Sequence, residues 1–183
     1  MGVKRKRKFW YRIMSFDLNE KIKSTLIKII WVVIYNIYII KGINDFKVIE
    51  PKIKCAFIPI TLDNYHRVKD FREERRVEQY KEKLLNNEIG YFAEHNGKII
   101  GSIWATINKK QVPRVVQTFK TIRKDEALVH DIVVSNDFRG MRIGPFMESS
   151  IFTKIFNIYE VSALITDANI RNHASLRMHS MVG

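Results

Sequence analysis

The chain has 183 residues, 46% hydrophobic and 28% charged, with a net charge of +13. That composition excludes wholesale disorder and suits one domain with a substantial core. The single cysteine, Cys55, excludes an intramolecular disulfide, and no Cys/His grouping has zinc-ligand spacing, so a reducing, cytoplasmic setting without metal is expected.

The chain opens on a basic leader. Between residues 1 and 30, nine basic side chains from Lys4 to Lys28 face only Asp17 and Glu20, which places +7 of the +13 there. Leu26 to Ile40 then reads LIKIIWVVIYNIYII and is expected to form an apolar helix. Its length falls short of the about 20 residues that cross a bilayer, and Lys28 interrupts it. No small-x-small cleavage site follows. Two readings stand for residues 1–40: attachment to an anionic membrane surface at its inner face, with Trp10, Tyr11 and Trp31 at the interface, or packing on the domain or in a homodimer. The leader is assigned residues 1–50 and the folded domain residues 51–183.

Lys52 to Ile60 reads as a first strand. Asp63 to Asn87 reads as two amphipathic helices or one broken helix, with the Arg72-Glu-Glu-Arg-Arg76 run as a solvated face. The apolar stretches on either side of Asn96-Gly97 predict a two-residue hairpin, because both central residues of such a turn take positive φ. Lys98 to Ile107 continues as a strand, and the polar segment 108–124 as a loop or hairpin.

Val129 to Val134 is a short apolar run rich in β-branched residues. It leads through Asn136-Asp-Phe-Arg-Gly-Met-Arg-Ile-Gly-Pro145 into a segment where Ile143, Met147, Ile151 and Ile155 recur every four residues, with Phe146 and Ile158 widening the stripe. A helix that starts at such a turn leaves its first N–H groups unpaired and pointing outward, where the helix dipole favours negative charge. An anionic ligand is the expected occupant.

The chain resembles the GNAT superfamily of acyl-CoA-dependent N-acyltransferases over roughly residues 53 to 183. Arg139-Gly140-Met141-Arg142-Ile143-Gly144 matches the first and last positions of that family's Arg/Gln-x-x-Gly-x-Gly/Ala loop, with Arg142 in place of the middle glycine. After the strand-like Val161 to Asp167, Asn172, Ser175, His179 and Gly183 fall on its Asn-x-x-Ser/Ala-x-x-x-Tyr/His-x-x-x-Gly spacing. The resemblance implies an α/β (α+β) domain with a mixed, twisted central sheet flanked by helices. It further implies acetyl-CoA as cosubstrate, held by the backbone of Ile132, Val133 and Val134, by the 139–144 loop, and by Asn172 and Ser175. It implies direct transfer of an acetyl group to an amine, small-molecule or peptide-borne; a longer acyl donor, or a noncatalytic module of the same fold, are the alternatives. Gly183 falls where the family continues with Phe and two more strands, so a truncated chain or a differently ending fold is expected. No motif supports sequence-specific nucleic-acid recognition.

Acyl transfer needs a neutral amine and a proton for the departing thiolate. His130 and Asp131 are the nearest candidates for the base, and strand periodicity sends them to opposite faces. His130 is preferred because an unperturbed imidazole titrates near neutrality. His179 occupies the position at which the resemblance implies the proton donor. Cys55 is too far from these motifs to carry an acyl group.

Overall fold

The computed structural model describes residues 35–110, 114–117 and 120–183. Among these residues the strands are β1 (Tyr35–Ile40), β2 (Ala56–Pro59), β3 (Ile89–His95), β4 (Lys98–Asn108), β5 (Arg114–Gln117), β6 (Lys120–Ile122), β7 (Glu126–Val134) and β8 (Ala163–Asn169). The helices are α1 (Arg76–Leu85), α2 (Ile143–Ile158) and α3 (His173–Val182), with 3-10 turns at Tyr65–Asp70 and Asn136–Phe138. Six strands form a mixed, twisted sheet in the order β1-β8-β7-β4-β3-β2. Only β7 and β8 run parallel; the other neighbours are antiparallel. The expected hairpin is present, with Asn96 at φ 49 and Gly97 at φ 77, and segment 108–124 contributes the β5–β6 hairpin.

Periodicity decides which helix face meets the sheet. Ile143, Met147, Ile151 and Ile155 are each no more than 1% exposed, packed with Ile103, Ala105, Val129 and Leu164. Burying each such side chain stabilises the fold by about 1.5–3 kcal/mol. Ile158, expected to widen the stripe, is instead 60% exposed at the helix end. On the opposite face, Val68 and Tyr80 pack on Phe92, Ile99 and Trp104. β4 lies between the two layers and is buried at every position from Ile99 to Thr106, as expected of a strand covered on both faces.

The N-terminal side departs from expectation. Residues 35–40 form the sheet's edge strand, antiparallel to β8 from Tyr35 opposite Asn169 to Ile40 opposite Leu164. The expected helix over 26–40 therefore does not extend through this part. A short apolar run rich in Ile and Tyr suits a strand as well as a buried helix. Ile40 and Phe46 sit in the core beside α2, so the folded unit takes in residues 35–50 that the sequence reading had given to the leader. Any strand added after α3 would have to find another edge, because β1 takes the one beside β8. Residues 1–34, and with them the basic leader, lie outside the described residues. Among the described residues no helix is long and apolar enough to cross a membrane.

Candidate active site

The site is organised by a bulge in β7. Ser102 pairs with Val133 and Trp104 with His130, so four residues of β7 oppose three of β4. The extra residue is accommodated at Asp131, whose backbone is left-handed at φ 49. A Cβ on Gly101 would stand 2.9 Å from the Val133 carbonyl oxygen, so the bulge needs glycine opposite it.

The bulge overturns the expectation that His130 and Asp131 face opposite sides. His130 is directly opposite Trp104, on the α1 side of the sheet, and its Nε2 lies 3.1 Å from Thr106 Oγ1 and 3.4 Å from Glu88 Oε2. Asp131 turns to the same side, accepting a hydrogen bond from Lys83 Nζ of α1 at 2.7 Å and one from Arg72 at 3.4 Å. Burial alone would raise the Asp131 carboxyl, but Lys83 and Arg72 outweigh it and hold it below its ordinary value. A carboxyl held low is a weak base, which argues against Asp131 as the proton acceptor. Arg72, expected on a solvated face, is instead largely buried between Tyr80 and Asp131.

β7 and β8 pair only from Glu126 to Leu128 against Ala163 to Ile165, although β7 runs on to Val134 and β8 to Asn169. Beyond Leu128 the parallel strands part, leaving one edge of Ile132, Val133 and Val134 without a strand partner among the described residues. The opening lies at the carboxyl ends of parallel strands, where open α/β sheets take their ligands.

The Arg139–Gly144 turn lies beside it. Gly140 at φ 80 and Arg142 at φ 60 are both left-handed, so the chain turns sharply twice just before α2, beside the helix N-terminus that favours an anion. Arg139, Gly140, Met141 and Arg142 are exposed. Ile143, part of the expected apolar stripe, and Gly144 are buried, and Pro145 brings no N–H. Gly144 is small because α3 crosses there: a Cβ would lie 2.9 Å from Met178 Sδ. A cleft of about 580 Å³ joins Val133, Val134 and Arg139 to the segment before α1. Its lining carries Lys69, Arg72, Arg76, Lys98 and Arg139 against Asp70, Glu73 and Asp137, a positive balance. The exposed left-handed turn, the basic cleft and the free strand edge fit a ligand with a phosphate-bearing head and an extended arm.

The Asn172 motif is divided by the fold. Asn172 Oδ1 caps α3 by accepting from the Ser175 N–H at 3.1 Å. His179 is 3% exposed, with its Nδ1 2.5 Å from Glu148 Oε1 and its Nε2 3.2 Å from Ser175 Oγ. The Tyr38 ring of β1 lies 4.8 Å from the imidazole. Sequence reasoning missed Glu148 and Tyr38. The signal for Glu148 was available: it is the sole acidic residue of α2 and sits in the Gly144, Glu148, Phe152 row, beside the apolar stripe. Cys55 is half-buried and its thiol is pushed up to about 11, chiefly by burial, which suits no nucleophile at neutral pH.

These features define an α/β domain that opens its parallel strands to an extended anionic ligand. The chain belongs to the Acetyltransferase (GNAT) family, whose sequence model matches residues 56–183; β1 lies outside that match. Among curated proteins none matches the sequence. Solved structures share the fold. The aminoglycoside N-acetyltransferase AAC(6')-Iy in complex with CoA is 15% identical, with 70% of this chain and 90% of that one covered at a TM-score of 0.52. The ribosomal-protein-alanine N-acetyltransferase from Brucella melitensis biovar Abortus 2308 is 14% identical, with 69% and 89% covered and a TM-score of 0.52.

Proposed function

We propose that this chain transfers an acetyl group from acetyl-CoA to the amine of a small molecule or peptide, by direct attack while both are bound. The observation that carries this reading is the parting of β7 from β8 beside the exposed 139–142 turn, in a chain of the GNAT family. Acetyl-CoA would supply the activated thioester. The backbone of Gly140 to Arg142 and the Arg139 guanidinium would hold its phosphates, and the free edge of Ile132 to Val134 would line up the arm. An acceptor amine with an ordinary pKa of about 10.4 arrives protonated, so a base must act. His130 is assigned that role, with its Nε2 beside the Thr106 hydroxyl. His179 is enclosed, so we assign it, when the ring carries a proton on both nitrogens, the supply of a proton to the departing thiolate through the half-buried Ser175 hydroxyl on its Nε2. Asn172 contributes by fixing the first turn of α3. The setting is cytoplasmic, with the basic leader of residues 1–34 at the inner face of the membrane.

Titration calorimetry of the full chain with acetyl-CoA, free coenzyme A and longer acyl-CoAs tests the donor. Release of coenzyme A in the presence of a panel of amines tests the reaction. Acetyl-CoA is expected to bind at least as well as the longer thioesters, and the absence of binding by all of them would overturn the reading. His130→Gln should lower turnover by roughly a hundredfold with donor affinity retained, since base catalysis contributes about 10²–10⁴.

A further inference from the structure

The Ser175, His179 and Glu148 contacts support a second chemistry besides proton supply to the departing thiolate. With Glu148 as a carboxylate, His179 Nδ1 must carry the proton it donates across 2.5 Å. That tautomer leaves Nε2 as an acceptor, and the group 3.2 Å away is the Ser175 hydroxyl. A hydroxyl hydrogen-bonded to an imidazole that a buried carboxylate orients is the arrangement that activates a serine nucleophile, whatever fold carries it. The carboxylate and imidazole are enclosed, at 0% and 3% exposure, while Ser175 is half-buried. Glu148 Oε2 is buried and makes no hydrogen bond, so the sequence retains a costly carboxylate whose clear partner is His179.

Ser175 also lies close along α3 to the contact between α3 and α2. It stands three residues before Met178, hence on a neighbouring patch of the helix surface, and Met178 packs against Gly144 at the start of α2. The serine therefore lies one turn of α3 from the residue that meets the start of α2.

We propose that Ser175 is an acyl-accepting nucleophile, so that when no amine is bound the protein forms an acetyl-serine and hydrolyses acetyl-CoA. The inference rests on the acetyl-CoA reading above. His179 Nε2 takes the Ser175 proton as Oγ bonds to the acetyl carbon. The carbon–sulfur bond breaks, and the same proton passes to the thiolate, so coenzyme A leaves as the thiol. Water then gives a proton to Nε2 and its oxygen to the acetyl carbon. The ester bond breaks, Oγ takes back the proton, and acetic acid departs. Glu148 is a positioning residue that keeps the imidazole in the tautomer both halves require.

The test incubates the full chain with deuterated acetyl-CoA and no amine, following free thiol and the mass of the tryptic peptide that carries Ser175. Expected are a deuterated acetyl group on that peptide in acid-quenched samples, or thiol release that Ser175→Ala abolishes. Ser175→Cys should restore a label, now removable by neutral hydroxylamine, and Glu148→Gln should slow thiol release by about tenfold or more, with donor affinity by calorimetry unchanged. Acetyl-CoA binding with neither label nor Ser175-dependent thiol release overturns this inference and leaves the transferase reading standing. Absence of acetyl-CoA binding removes both. A label that persists in Ser175→Ala also overturns the inference.

Discussion

Lys83 Nζ lies 2.7 Å from Asp131 Oδ2, tying helix α1 to the bulge of β7 across 48 positions of sequence. Arg72 joins the same carboxylate and Lys83 also stands 4.9 Å over the Trp104 ring, so the left-handed residue of the bulge is fixed by two cations. Because the folded pKa of Asp131 is held below its ordinary value, the unfolded chain binds the proton more readily. The stabilisation is then complete above the ordinary carboxylate range, near pH 5, and is lost as pH falls below about 3.9 towards the lower folded value. Asp131→Asn should lower stability by about 1–2 kcal/mol at pH 7, a figure reduced for partial exposure, and flatten the acid limb of the stability profile. Urea unfolding at pH 7 and pH 3 measures both; an equal loss at the two pH values would sink the assignment.

Arg142 occupies the place where the GNAT loop carries glycine, and its φ of 60 explains the family's choice. A non-glycine residue pays roughly 1–2 kcal/mol in that region, partly offset because glycine loses more freedom on folding. Arg142→Gly should therefore raise the melting temperature by a few degrees and leave acetyl-CoA affinity equal or better. A tenfold or larger loss of affinity would show that the guanidinium itself binds phosphate.

Gly144 is not a simple probe of the phosphate cradle, because a side chain there needs Met178 of α3 to move aside; Gly144→Glu should lower stability and binding together. Arg139 is exposed and lines the basic cleft, so Arg139→Ala should weaken coenzyme A binding by about tenfold, roughly 1.4 kcal/mol and just under the 1.5–3 kcal/mol of a charge-assisted contact because the site is open to water, with an unchanged melt. Higher salt should narrow the difference. Identical affinities for the two proteins at low salt would remove Arg139 from the site.

The parts of this site legible in sequence are those set by local rules. The stripe from Ile143 to Ile155 and the Asn96-Gly97 turn follow from side-chain period and positive φ, and the structure bears out both. Strand periodicity could not reveal a one-residue bulge, so His130 and Asp131 were sent to opposite faces. Glu148 meets His179 across 31 positions, a tertiary contact that no spacing rule carries. β1 was misread because Tyr35–Ile40 is apolar apart from Asn36, and helix and edge strand then look alike until a partner strand is known.

That strand sets where the leader can be removed. Deleting residues 1–50 would unpair the edge of β8, remove Ile40 and Phe46 from the core, break the 2.6 Å bond from the Lys47 N–H to the Val182 carbonyl, and take Tyr38 from His179. Loss of a buried Phe alone costs about 3–5 kcal/mol, a large share of a domain's total stability. This deletion should abolish a cooperative melt. A protein starting at residue 34 keeps β1 and should melt like the full chain, yet it lacks the nine basic residues of the leader. Sedimentation with vesicles rich in anionic lipid separates the roles: the full chain should bind, with binding weakened by salt, and the chain starting at residue 34 should stay in the supernatant. Equal sedimentation of the two would place the membrane-binding charge in the folded domain, whereas a melt lost on starting at residue 34 would mean that the leader supports the fold.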